Sequence, residues 1–347
     1  MYKRNISDRY RYLLIFSLIL SLLLTGCSSG EQNKKSTPDA SEQPPASITD
    51  TSDSIDHTQP CISVACSTEI NMPDTIACMD GTEIRVLPYA DNMLGSDHDM
   101  LLGCQANTIS AFIGSSTVAT DIVPELALLS IPFLCDNYDD YRLQIKDRWK
   151  NWFQPYFQKQ DLQLLAWDAT FKGCLVSQVP LRTADDLKQL NIRTTENPYR
   201  TMLWSSVGAD VLPLSFDEIG YYLQTGQINA LEGGISALIR SGLIESFRYI
   251  ILLNHIPGNN AFVMNKDTYD SLSPEQQAAI TCYAEKAVEA KDDIIDQCTD
   301  TYHLEKLDAS EEICSTLYGS RDLIIEQLIQ KLGEKCVTSF LKEVDYN

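Results

Sequence analysis

Arg193 lies in a β-branched run, Leu190-Asn191-Ile192-Arg193-Thr194-Thr195, that directly follows a short polar stretch with helical signals and precedes aromatics and a glycine-closed segment. A guanidinium is a planar fork of donors that matches two carboxylate oxygens, whereas a lysine ammonium is a point charge. An arginine delivered by a strand can therefore grip a carboxylate. The alternative is a structural arginine paired with a neighbouring acid.

The elements that must position this arginine are legible. Thr183 followed by Asp186 has the form of a capping box and predicts a short helix over 184–189, and Ser215 with Glu218 repeats the signal for a helix over 216–225 that Gly226 closes. Strands are expected at 61–66, 83–87, 108–113, 162–167, 174–178, 190–195, 228–231 and 261–264, and helices at 97–104 and 139–158. Ser273-Pro274-Glu275-Gln276 is a helix start, with serine as cap and proline at the first position, and that helix is expected to run well past Ala290. Alternation of this kind predicts α/β architecture with open, largely parallel sheets and ligands at the carboxyl ends of the strands. About 290 residues follow Pro60, more than one typical core's worth, so two lobes with a cleft between them are expected.

Other chemistries fit the chain poorly. Gly114-Ser115-Ser116 lacks the pattern of a nucleophile elbow, so Ser115 is expected to line a cleft after its strand rather than attack a substrate. Glu232-Gly233-Gly234 has neither the glycine fingerprint nor the lysine of a phosphate loop. The acid pairs Asp185-Asp186 and Glu311-Glu312 sit on polar stretches and read as capping or solvated groups. His57, His98, His255 and His303 are far apart, no CxxC occurs, and neither a metal nor a cofactor is expected. A net charge of −21 argues against nucleic acid, which needs clustered Lys and Arg, and makes any buried cation more informative. An enzyme is not expected.

The N-terminus leads us to expect a chain exported from the cytoplasm. Lys3, Arg4, Arg9 and Arg11 precede an apolar run over 12–24 that is too short for a comfortable membrane span. Leu24-Thr25-Gly26-Cys27 follows and resembles a bacterial lipobox, which implies cleavage after residue 26 and lipidation of Cys27 as a membrane anchor. Residues 27–59 are rich in Ser, Thr, Pro, Asp, Glu and Gln and read as a flexible tether. Eleven cysteines occur, and the ten after Cys27 are an even number in a compartment that permits disulfides, with Cys61, Cys66 and Cys78 the favoured region. Several of the ten lie in apolar runs, where cysteine commonly acts as a small hydrophobe.

Ordered landmarks cover nearly the whole body: Arg85-Val86-Leu87-Pro88, Leu94-Gly95, Ile122-Val123-Pro124-Glu125, Leu129-Ser130-Ile131-Pro132-Phe133, Leu181 to Lys188, Ile192-Arg193, Gly208-Ala209, Pro213-Leu214-Ser215-Phe216, Glu218, Leu223-Gln224-Thr225-Gly226, Asn254-His255, Asn265-Lys266 and Leu272 to Gln276. In these the chain resembles the DctP-like solute-binding proteins of TRAP transporters. The resemblance implies a two-lobed periplasmic-binding-protein-like fold, with hinge strands and a long helix linking lobes of 60–168 plus about 259–290 and 169–258 plus about 291–347. It further implies capture of an organic acid, a bidentate role for Arg193, and delivery to TRAP permease subunits in the membrane. A lipoprotein sensor or adhesion module of the same fold, without transport, is the alternative.

The resemblance also places Lys172 where many relatives carry arginine, Phe216 where an aromatic meets the ligand, and Tyr221 where a hydroxyl could turn inward. Two departures stand out. Gly233 replaces the asparagine of the usual Glu-Asn-Pro sequence, so either the ligand is larger and approaches backbone closely or that contact comes from elsewhere. Too little chain lies between the strands at Cys61 and Glu83 for the helix expected there, so the first lobe is trimmed or its wall is rebuilt by residues 68–72.

Overall fold

The computed structural model describes residues 59–66, 72–90, 93–289 and 294–344. The signal segment, Cys27, the tether as far as residue 58, and residues 67–71, which include all of the 68–72 wall but Met72, lie outside the described residues.

Runs of apolar and β-branched residues form two six-stranded sheets. The first contains β1 (Cys61–Cys66), β2 (Thr75–Ala77), β3 (Glu83–Tyr89), β4 (Ala111–Ser115) and β5 (Leu162–Phe171), joined by β11 (Gly258–Asn265), in the order β2-β3-β1-β4-β11-β5. The second contains β6 (Cys174–Ser177), β7 (Asn191–Thr194), β8 (Asp210–Pro213), β9 (Ala230–Glu232), β10 (Tyr249–Leu252) and β12 (Glu305–Asp308), in the order β12-β10-β6-β9-β7-β8. Each sheet is the centre of one lobe of a two-lobed α/β fold.

The sheets are mixed rather than largely parallel. Parallel pairs join β1 to β3 and β4, β10 to β12, and β7 to β8 and β9, while β11 runs antiparallel to β4 and β5, and β6 antiparallel to β9 and β10. The cause is the pair of crossings between sheets. The chain leaves β5, passes through Lys172 and Gly173 and enters β6, then returns from β10 to β11 through residues 253–257. The Gly173 carbonyl accepts from the N–H groups of Leu253 at 2.9 Å and Asn254 at 2.7 Å. A Cβ on Gly173 would stand 2.9 Å from the backbone of His255 and Ile256, so only glycine lets the two crossings touch.

The predicted helix at 139–158 forms as Tyr138–Gln144, a π turn over Ile145–Trp149, and Lys150–Gln158. It presents Trp149, Phe153 and Phe157 to the core, and Phe340 of the C-terminal helix Glu334–Glu343 stacks on Trp149, Trp152 and Phe153 at 5.1–5.5 Å. The helix opened at Pro274 has the expected serine cap but ends at Val288, where Glu289 turns to extended backbone. It packs on the first sheet, and a separate helix, Ile294–Tyr302, packs on the second. One unbroken helix past residue 290 is thus replaced by two segments. Upstream, the described residues between β1 and β3 form β2, a short antiparallel edge on β3.

Candidate ligand site

Arg193 is the third residue of β7, the strand between β8 and β9, with Leu212 and Leu231 as its neighbours in register. The capping contacts that start the preceding turn are present, since Asp186 accepts from the Thr183 N–H at 2.8 Å. After β8 the chain is clipped back by Leu214 N–H to the Thr194 carbonyl at 3.1 Å. That clip aims the Leu214 carbonyl at Arg193, whose Nε and Nη2 donate to it at 3.0 and 2.7 Å.

The side chain is 6% exposed, yet among the described residues no carboxylate oxygen comes within 4.0 Å of it. Burial pushes the guanidinium down to about 10, against the pull of Glu232, Glu196 and Glu218, which leaves it protonated at neutral pH. A buried charge without a counter-ion is costly, and its remaining donors suit a bidentate anion.

The nearest buried acid is engaged elsewhere. Glu232, the last residue of β9, accepts from Arg200 Nη1 at 2.5 Å and lies 2.6 Å from His255 Nε2. Burial opposes ionisation of Glu232, but the Arg200 charge and the hydrogen bonds from His255 and Arg200 outweigh it and hold the carboxyl at about 2. Arg200 is brought there by the helix Pro198–Ser206, whose cap Asn197 accepts from the N–H groups of Tyr199 and Arg200 and whose first position is proline. His255 comes from the return crossing, fully buried, with the Trp204 ring edge-on at 5.6 Å.

The other predicted site residues are placed unevenly. Gly233 follows Glu232 in left-handed backbone (φ +67°), with the Phe171 ring against it. Phe216 opens the 3-10 turn Phe216–Glu218 and is half-buried on the core of the second sheet. Ser115 ends β4 and is spent locally, its Oγ 2.8 Å from Thr117 Oγ1 and accepting from the Thr117 N–H. Lys172 is exposed at the crossing; the Asp296 carboxyl, held low by the Lys306 hydrogen bond and charge, also feels Lys172. Tyr221 is 63% exposed and stacks edge-on with Tyr222 at 5.4 Å, so it does not turn inward.

Sequence reasoning missed Arg200 and the use of His255. A signal was present: a cation in the first turn of a helix opposes the macrodipole, so Arg200 called for a nearby acid.

Comparison with known proteins agrees with this architecture. The family model for DctP, bacterial extracellular solute-binding protein, family 7, matches residues 67–316. The chain is 27% identical over 206 residues to the 2,3-diketo-L-gulonate-binding periplasmic protein YiaO of Escherichia coli, covering 59% of this chain and 63% of that protein. It is 26% identical over 270 residues to the ectoine-binding periplasmic protein TeaA of Halomonas elongata, covering 74% and 79%. Several curated relatives, the Escherichia coli protein among them, are matched over less than two thirds of their own length. A TRAP periplasmic solute-binding protein of Chromohalobacter salexigens, solved with bound D-glucuronate, superposes with a TM-score of 0.70 at 19% identity, over 81% of this chain and 99% of that one. With the family model spanning well over half of its residues, the chain belongs to the DctP family of bacterial extracellular solute-binding proteins.

Proposed function

We propose that this chain captures a carboxylate-bearing organic acid between its two lobes and delivers it to the membrane subunits of a TRAP-type transporter. The observation that carries the proposal is Arg193, a buried and protonated guanidinium at the carboxyl edge of the second sheet with no acid partner among the described residues. The ligands named for relatives, 2,3-diketo-L-gulonate and D-glucuronate, carry a carboxylate and support the same chemistry. Gly233 and Phe216 complete the proposed contacts on this lobe, and water exclusion on closure strengthens the ion pair. The proposed lobes are 60–168 with about 259–290 and 169–258 with about 291–347; the C-terminal helices cross that division, since Phe340 packs on Trp149 and Phe153.

A thermal-shift screen of organic acids tests the binding function. A ligand at a hundred times its Kd should stabilise the fold by about 2.7 kcal/mol, and no shift with any carboxylate would refute it. Anchoring through a lipid on Cys27 is a separate part of the proposal, supported by the Leu24-Thr25-Gly26-Cys27 sequence. Cys27→Ala is expected to move the protein from the membrane fraction to the soluble extracytoplasmic fraction. A variant that still sediments with membranes would remove the anchor.

A further inference from the structure

Phe171 ends β5 at the point where the chain crosses between sheets, and two glycines make room for its ring. A Cβ on Gly258, its partner on β11, would lie 2.2 Å from Phe171 Cε1, and one on Gly233 would lie 3.1 Å from Cζ. The ring therefore sits where no other residue type at 258 would admit it, and it covers the Gly233 turn. Arg193 is one strand away: it pairs with Leu231, and Gly233 lies two residues beyond Leu231, just past the end of β9 and at the same end of the parallel β7–β9 pair. Strand spacing and rise put the Arg193 and Gly233 backbones about 8 Å apart, a gap that a ligand held by the guanidinium can span.

Around this cation the one half-buried acid that acts on it, Glu232, is committed to Arg200 and His255, and three further half-buried side chains are hydrocarbon. Phe171, Leu212 beside Arg193 on β8, and Phe216 two residues beyond the Leu214 carbonyl all pack on the core of the second sheet. Ser115 bonds to Thr117, and Tyr221 is 63% exposed with its ring against Tyr222. Gly233 offers no side-chain donor.

We propose that this site selects an acid whose carboxylate is attached to an apolar, preferably planar or branched, body, the charge on Arg193 and the hydrocarbon against the Phe171 face. The proposal rests on Arg193 as the carboxylate anchor. A polyhydroxylated acid would bury hydroxyls against aromatic and aliphatic carbon, where lost water hydrogen bonds are not replaced. An apolar body gains from the same surface and from ring contact with Phe171.

Calorimetric titration of the wild-type protein with phenylpyruvate, 4-methyl-2-oxopentanoate, D-gluconate and D-glucuronate tests it. The two apolar acids are expected to bind at least roughly tenfold tighter than the two sugar acids. Phe171→Leu, which keeps an apolar filler between the glycines, should weaken phenylpyruvate about tenfold and the sugar acids little. Tighter binding of the sugar acids by the wild type would overturn the selectivity and leave Arg193 as anchor; binding of neither class would overturn both. Equal loss for all four acids in Phe171→Leu would make the ring merely structural and overturn its selective role.

Discussion

Replacing Arg193 with methionine should weaken acid binding by about 2–5 kcal/mol while leaving the ligand-free fold nearly as stable as the wild type. The two halves of this expectation come from one fact, a buried guanidinium that has no carboxylate partner among the described residues. Its ligand would supply the missing countercharge, and truncating one member of a desolvated pair costs on that scale. Without ligand, desolvation outweighs the distant pull of Glu232, Glu196 and Glu218 on the charge, a cost that methionine of similar length avoids. The loss of the two charge-assisted bonds to the Leu214 carbonyl acts the other way, by about 1.5–3 kcal/mol. An ordinary structural arginine would show the reverse pattern, a lower melting temperature and unchanged affinity. Parallel calorimetry and ligand-free denaturation separate the two.

Glu232→Ala is expected to destabilise the protein by about 3–5 kcal/mol, because it leaves Arg200 buried without its acid and Arg193 with one less compensating charge. The pH dependence has a definite sign. The folded carboxyl at about 2 is depressed below its ordinary 4.5, so its contribution is fully present above about 4.5 and is lost as pH falls towards 2. A depression of that size corresponds to about 3 kcal/mol at neutral pH. Denaturation of the wild type and Glu232→Gln at pH 2, 4.5 and 7 should therefore show the gap between them closing at the acid end. A gap that stays constant from pH 7 to 2 would mean that Glu232 contributes by shape rather than charge.

Local signals carried much of the fold. Both capping boxes, at Thr183 and Ser215, form where residue types predict them, and Gly226 adopts the left-handed backbone that ends its helix. Arg193 was legible for the same reason, since a strand between two well-signalled turns fixes where its residues stand. What failed was orientation and long-range pairing. Nothing near Tyr221 or Ser115 says whether a hydroxyl faces a cleft, solvent or its own turn. Arg200 meets its acid 32 residues further along the chain, and that acid meets His255 another 23 residues on, beyond the reach of any periodic pattern. The antiparallel pairings of β11 come from a return crossing whose direction is set by Gly173 packing on His255 and Ile256, again a tertiary contact.

The central claim is that Arg193 holds a ligand carboxylate, and it is met most directly by titrating the wild-type protein with its best-binding acid and with the primary amide of that acid. The two ligands match in shape and differ in charge. Loss of a charge-assisted bidentate pair predicts that the amide binds at least about 30-fold more weakly, equivalent to about 2 kcal/mol. An amide that binds as tightly as the acid would contradict the account.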